Sequence, residues 1–324
     1  MTRIAMENNR ILVTAIGSFS ADCVIRILKQ NNCYVVGTDI YPNEWHFESM
    51  LCDKVYQAPG ATDRKAYISF LLKVIVDEDI KGIIPLTDVE IDVINLFRAE
   101  FQKLGVVIYT QSERTLSIAR DKKYLSSFFD KDSSVKIPKF VDSKALTDDF
   151  VLPAIAKPIN GRSSEGIVRI YDRDELIKFV GRDNYIIQEF LEGDVCTVDY
   201  VRDKYGNDFS VPRVELLRTK NGAGTTVRIF SDKEISKLVS HIGNKIGVIG
   251  CVNMEFIKNN EDFFLIDINP RFSAGVAFTN FVGYDMVMNH VKAINGIEID
   301  RGCDFKDQIL CKHYSEKLLL TISE

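Results

Sequence analysis

Two acidic, strand-like segments late in the chain hold the residues best suited to chemistry: Asn253-Met254-Glu255-Phe256 and Leu265-Ile266-Asp267-Ile268-Asn269-Pro270-Arg271. The polar run 258–262 lies between them and predicts a hairpin. Side chains alternate along a strand, so Asn253 and Glu255 share a face, as do Asp267, Asn269 and Arg271. A hairpin then presents Glu255, Asp267 and Asn269 together, with Arg271 just beyond. Two carboxylates and an amide oxygen make a hard, all-oxygen site of the kind Mg²⁺ takes, normally completed by substrate phosphates. A cation beside them suits a phosphoryl or acyl-phosphate group. The same alternation also describes an ordinary solvated hairpin, so the rest of the chain must decide.

Bulk properties narrow the function classes. At 324 residues the chain is long enough for two or three domains, and its 46% hydrophobic and 27% charged residues are ordinary for a globular protein. A net charge of −5 argues against a nucleic-acid binder. No apolar run approaches the roughly 20 residues that span a bilayer, which argues against a membrane partner. The polar run 1–10 lacks a signal-peptide core. Seven scattered cysteines without a CxxC pair predict free thiols in a reducing cytoplasm and no zinc site.

The elements that must position these residues begin with a βαβ pattern. Residues 10–15 read as a buried strand, 16–20 as a Gly/Ser loop, 21–30 as a helix and 34–38 as a second strand. Further strands are expected at 82–85 and 106–109, with a helix over 89–104 between them. This predicts a Rossmann-like parallel sheet over residues 1–111, with Gly17, Ser18, Phe19, Asp39, Thr87, Asp88 and Glu90 along the carboxyl-end rim. A lone Gly17 without GxGxxG is weak support for a nicotinamide cofactor; turn chemistry accounts for it.

After residue 112 the pattern changes. A helix is expected over 112–129 and contains Lys122. A strand over 150–157 ends at Lys157, and a small-residue loop follows at 160–166. Residues 173–180 read as helix, 185–190 and 195–202 as strands, and 231–247 as a helix before the acidic hairpin. Lys122 and Lys157 could neutralise phosphates, and the loop could close over them. Gln188, Glu189, Phe190 and Leu191 could offer backbone groups and apolar faces to a base. The segment 213–228 reads as a flexible, cationic loop with Arg213, Arg218, Lys220 and Arg228, from which Arg213 could touch a substrate carboxylate or acyl phosphate. Each feature has a plain alternative: a solvated lysine, a hairpin turn, an exposed basic segment.

The order Asp121-Lys122, Ala156-Lys157-Pro158, small-residue loop, Gln188-Glu189-Phe190-Leu191-Glu192-Gly193, Asn253-x-Glu255 and Asp267-x-Asn269-Pro270-Arg271 resembles the ATP-grasp superfamily. Within it the chain looks like carbamoyl-phosphate-synthase-large-subunit-like, single-chain carboxylate–amine ligases, in the neighbourhood of the pyrrolysine-biosynthesis ligase. The resemblance covers nearly the whole chain. It implies an α/β protein with α+β character in the grasp part: the N-terminal domain 1–111, a small lobe with a phosphate loop over 112–190 and a C-terminal lobe with the metal site over 191–324. The run 313–319 resembles the strand that often closes such proteins. Lys122 and Lys157 would bind ATP phosphates under a mobile loop containing Ser163, Ser164 and Gly166. Glu189 and Leu191 would meet adenine. Glu255, Asp267 and Asn269 would hold two Mg²⁺ ions, for which Mn²⁺ can substitute, and Arg271 would stabilise the acyl phosphate. Val195 stands where relatives usually have a ribose-binding glutamate, leaving Asp194 as the substitute. After Arg271, relatives often continue with several glycines, whereas this chain has Phe272-Ser273-Ala274-Gly275.

The implied reaction activates a carboxylate as an acyl phosphate for attack by an amine, in a cytoplasmic enzyme acting on small molecules, with a homodimer as the default assembly. Alternatives are a carbamoyl- or carboxyphosphate-forming synthetase, a non-catalytic ATP-binding regulatory module and a Rossmann oxidoreductase.

Overall fold

Short apolar runs build the first sheet of the computed structural model, which describes residues 9–161 and 165–320. In chain order its elements are β1 (Arg10–Thr14), α1 (Ala21–Gln30), β2 (Tyr34–Asp39), β3 (Lys54–Gln57), α2 (Arg64–Asp77), β4 (Gly82–Ile84), α3 (Asp88–Leu96), α4 (Arg98–Lys103) and β5 (Val107–Ile108). The strands are all parallel, in the order β3-β2-β1-β4-β5. Along β1, Ile11 and Val13 enter one core cluster and Leu12 another, so the strand is buried on both faces. That is why it reads as a continuous apolar run rather than an alternation. The helix expected over 89–104 is two helices, broken at Phe97.

The helix expected over 112–129 is also two, α5 (Glu113–Arg120) and α6 (Lys122–Phe129). Asp121 between them is extended, and its side chain accepts from the Tyr124 N–H, capping α6. The second sheet contains β6 (Phe140–Asp142), β7 (Ala154–Pro158), β8 (Val168–Ile170) and β9 (Tyr185–Glu189), with α7 (Arg173–Ile177) packed beside it. Its order is β6-β9-β7-β8, antiparallel throughout. The strand expected over 150–157 begins only at Ala154.

The third sheet comprises β10 (Asp194–Arg202), β11 (Asp208–Arg218), β12 (Gly224–Ile229), β13 (Gly250–Asn259), β14 (Asp262–Asn269) and β15 (Gln308–Cys311), in the order β14-β13-β10-β11-β12-β15. The helices α8 (Lys233–Ile246), α9 (Val276–Phe281) and α10 (Met286–Ile294) complete the lobe. One sheet face packs against α5, α6 and α8 through Cys196, Val198, Val252, Met254 and Phe256. The other meets the N-terminal domain: Val201, Cys251, Phe272 and Val276 share a core with Ile16, Ala21 and α10. This shared core presses the rim of the parallel sheet against the chain just past Arg271. The closing strand expected over 313–319 is absent: residues 312–320 have no regular structure, and the earlier β15 pairs with β12 instead. All seven cysteines are unpaired. Among the described residues no helix is long and apolar enough to cross a membrane.

Candidate active site between three sheets

A cavity of about 850 Å³ lies where the three sheets meet. Its floor is the β13–β14 hairpin, in which Glu255 pairs with Asp267 and Asn253 with Asn269. The pairing is not a uniform alternation. Phe263 and Leu265 are buried against α5 and α6, and so is Ile268, whose parity is opposite. A register shift leaves Ile266 as an extra residue, which turns Asp267 and Asn269 onto the cavity face. The three residues do meet: the Asn269 Nδ2 donates to Glu255 Oε1 at 3.0 Å. Burial and the facing Asp267 carboxylate push Glu255 above its ordinary carboxylate range.

Capping by Asp121 makes Lys122 the first residue of α6, where a cation opposes the helix dipole. Lys122 is buried, and its Nζ donates to Asp267 Oδ2 at 2.9 Å and to the Gly161 carbonyl at 3.2 Å. Lys157, on β7, faces the same space but makes no hydrogen bond or ion pair with a described side chain. Burial lowers its pKa to about 8, with Lys122 adding to the effect and Asp267 opposing it. Gly161, Glu165 and Ile167 form part of the cavity wall; Gly166 itself does not line it, and Ser163 and Ser164 lie outside the described residues.

Gln188, Glu189, Phe190 and Leu191 also line the cavity, as do Ile155, Ile257 and Ile266. Glu189 is committed locally, since its Oε1 accepts from the Lys139 N–H at 2.8 Å. The buried Gln188 keeps an unpartnered Oε1. Asp194 is not part of this wall. Val195 and Thr197 face the cavity, whereas Asp194 falls on the other face of β10, in a separate, smaller pocket with Arg228 and Lys258. Alternation alone dictates this, and it leaves Asp194 on the face away from the cavity, out of reach of the ribose contact expected of it.

The cationic segment 213–228 is not a flexible loop. It is β11 and β12, joined by a tight turn in which the Thr219 N–H donates to the Ala223 carbonyl. Arg213 is 1% exposed; its Nη1 donates to Asp199 Oδ2 at 2.9 Å and its Nη2 to Ser273 Oγ at 3.0 Å, while Nε lies 3.9 Å from Glu215 Oε1 without a hydrogen bond to a described residue. A side chain at Gly275 would come within 3.0 Å of this guanidinium, so the glycine is what admits it. Thus Phe272-Ser273-Ala274-Gly275 forms the seat of Arg213. Arg228 points away, towards the exposed Asp307.

Arg271 lines the cavity and is gripped by Asp88 through two hydrogen bonds of 3.1 and 3.0 Å. Burial would raise the Asp88 pKa; Arg271 and Arg120 outweigh it and hold the carboxyl below its usual range. This pairing was not foreseen, because the partners are 183 residues apart. The available signal was the position of Asp88 at the carboxyl end of β4. Gly17, Ser18, Phe19 and Thr87 line the cavity too, but Asp39 and Glu90 turn inward. Asp39 accepts from the Gly17 N–H, and Glu90 is bonded by Thr14, Tyr67 and Thr87.

The donor set fits a divalent cation shared with phosphates. Among the described residues no three His, Cys, Asp or Glu form a closed cage. Two carboxylates with an amide are what Mg²⁺ takes when substrate oxygens complete its shell. Both carboxylates also already draw cations, Lys122 at Asp267 and Arg218 at Glu255.

A parallel-sheet domain leading into two antiparallel lobes around such a cavity is the ATP-grasp architecture, and the chain carries an ATP-grasp domain together with a PylC-like N-terminal domain. Residues 119–275 match the family model described as ATP-grasp domain, and residues 11–109 match the PylC-like, N-terminal domain. The carbamoyl phosphate synthase large chain of Agathobacter rectalis is 23% identical over 205 residues, covering 56% of this chain and 19% of that protein. The match thus spans about a fifth of the relative's length. Among solved structures, the biotin carboxylase domain of the Hydrogenobacter thermophilus 2-oxoglutarate carboxylase, in complex with MgADP, ADP and bicarbonate, has a TM-score of 0.76 at 17% identity, covering 91% of this chain and 71% of that one. The L-amino acid ligase of Bacillus licheniformis has a TM-score of 0.68 at 16% identity, covering 90% and 76%. At these identities the likeness establishes the fold.

Proposed function

We propose that the protein is an ATP- and Mg²⁺-dependent ligase that joins a carboxylate to an amine through an acyl phosphate. The observation that carries this reading is the register of Glu255 opposite Asp267, with Lys122 on Asp267 and Lys157 facing the same space. An all-oxygen site beside two buried lysines suits the polyphosphate of a nucleotide.

In the proposed reaction an oxygen of the substrate carboxylate attacks the γ-phosphorus of ATP, and the bond to the β–γ bridging oxygen breaks to release ADP. An amine then attacks the acyl carbon, loses a proton and expels phosphate, leaving an amide. Lys122 and Lys157 neutralise phosphate charge, and the loop carrying Ser163, Ser164 and Gly166 covers the phosphates and excludes water. The segment 188–191 receives the adenine, with Gln188 Oε1 free to accept a hydrogen bond. Glu255, Asp267 and Asn269 would hold Mg²⁺, as one ion or two, with Mn²⁺ able to replace it; bound there, the ion would offset the negative charge of the phosphates. Arg271, fixed by Asp88, and Arg213, fixed by Asp199 and Ser273, face the acceptor end, where the activated carboxylate is stabilised.

A phosphate-release screen over amino acids, dipeptides and small dicarboxylates, with Mg²⁺, ATP and hydroxylamine as the trapping amine, tests this. Carboxylate-dependent phosphate release with hydroxamate formation is expected. Firm ATP binding with no release for any acid would instead mark a nucleotide-sensing module. The match to carbamoyl phosphate synthase large chains favours one second reading, a carboxyphosphate-forming enzyme. Bicarbonate-stimulated ATP hydrolysis without added acid would select it.

A further inference from the structure

Beyond the residues already assigned, one cation is aimed at the metal-site carboxylates by an irregularity in its strand. In a regular β11, Glu215 and Leu217 would share the cavity face, and Arg218 would point the other way. Register shifts between Glu215 and Leu217 and between Leu217 and Arg218 break this pattern. Leu216 and Leu217 are left 46% and 61% exposed, and Arg218 returns to the cavity wall beside Glu215. Bulges at functional sites characteristically re-aim a side chain, and here the result exposes two leucines to place one arginine.

The guanidinium is held firmly. Its Nε lies 2.6 Å from Glu215 Oε2, its Nη2 donates to the Gly222 carbonyl at 2.8 Å, and the same Nη2 lies 3.8 Å from Glu255 Oε2. Glu215 is itself fixed by the Thr197 hydroxyl at 3.0 Å. Gly224 pairs with Arg218, and a side chain there would press on the Glu215 carboxyl at 3.0 Å. Nη1 has no hydrogen bond to any described residue. Arg218 therefore meets Glu255 while Lys122 meets Asp267, so the two cations flank the paired carboxylates, on separate elements. A site bracketed in this way receives a group with two or more anionic oxygens, which a planar guanidinium grips better than an ammonium.

We propose that Arg218 binds the terminal phosphoryl group of the nucleotide and so distinguishes the triphosphate from the diphosphate. The assignment rests on the ligase reading above and adds a γ-phosphate ligand contributed by the β11–β12 hairpin.

Calorimetric titration of full-length protein with MgADP and with the non-hydrolysable Mg·AMP-PNP tests it without knowledge of the acid or amine. Arg218→Gln should weaken AMP-PNP binding by about tenfold or more and ADP binding by less than about twofold, as expected for loss of a charged hydrogen bond. Arg218→Lys should recover only part of the difference, and the charge-matched Arg228→Gln should bind both nucleotides as the wild type does. Equal weakening towards both nucleotides, or none towards either, would overturn the assignment and leave the ligase reading standing. Wild-type protein that bound neither nucleotide would overturn both. Thermal melting separates misfolding from lost contacts; if Arg218→Gln fails to fold, Arg218→Lys alone decides, and an unchanged AMP-PNP to ADP ratio counts against the proposal.

Discussion

The two hairpins that carry charge to the cavity, β13–β14 and β11–β12, lie in one sheet on either side of β10 and use the same device. In each, a register shift interrupts alternation and turns a charged residue inward: Asp267 after Ile266, and Arg218 after Leu216 and Leu217. They differ in what surrounds the shift. In β14 the residues past it, Asp267 and Asn269, continue as a regular alternating run, so a local reading finds the face without seeing the bulge. In β11 the shift falls between Glu215 and Arg218, and alternation predicts that they diverge. The difference teaches that parity is safe within an uninterrupted run and fails across an inserted residue, since one extra residue reverses every side chain beyond it.

The sharpest way to break this comparison is at Asp267. Asp267→Asn removes a donor of the proposed ion and the partner of Lys122, and should lower acid-dependent phosphate release by about 10²- to 10³-fold. Magnesium titration of the residual activity should show a higher half-saturating concentration. Unchanged magnesium dependence would mean that the β13–β14 face is not the metal floor. Next in size is Asp88→Ala. It leaves Arg271 beside Arg120 without their shared carboxylate and should cost about 3 kcal/mol in urea unfolding. Turnover should fall more than nucleotide affinity if Arg271 acts on the activated carboxylate as proposed.

Lys157 gives a smaller, pH-dependent effect. Its pKa of about 8 means that the free protein loses the lysine charge as pH rises through that value. Phosphate binding favours the protonated form, so nucleotide affinity should fall above about pH 8, with proton uptake on binding visible in calorimetry across buffers of different ionisation enthalpy. Lys157→Met should abolish this uptake. The stability sign runs the other way: the folded pKa lies below the unfolded value, so folding stability should rise with pH between about 8 and about 10.4. The smallest effect belongs to Asp194→Ala. This residue faces the far side of β10, and the substitution should change nucleotide affinity by less than about twofold.

Much of the fold was legible because its signals are local. Apolar runs marked β1, β2 and β4, and the small-residue turns after them marked the rim. The span 112–129 reads as one helix because Asp121 continues the helical pattern in sequence, while in space it caps the second of two helices. The terminal run 313–319 resembled a closing strand, yet β12 was already paired by Gln308–Cys311. Segment 213–228 looked flexible because its glycines and cations suggest solvent; burying Arg213 requires Asp199 and Ser273, neither adjacent to it in the chain.

The residue order by itself determined the polar floor of the cavity and brought out Lys122, Lys157 and the segment 188–191, all of which line it, since each depends on neighbours a few positions away. Which face Asp194 takes was also implicit in alternation. The grip of Asp88 on Arg271, the burial of Arg213 over Gly275 and the inward turn of Arg218 were decided only by the tertiary structure. Each joins groups brought together by packing of the sheets or by a register shift, and neither leaves a period in the sequence.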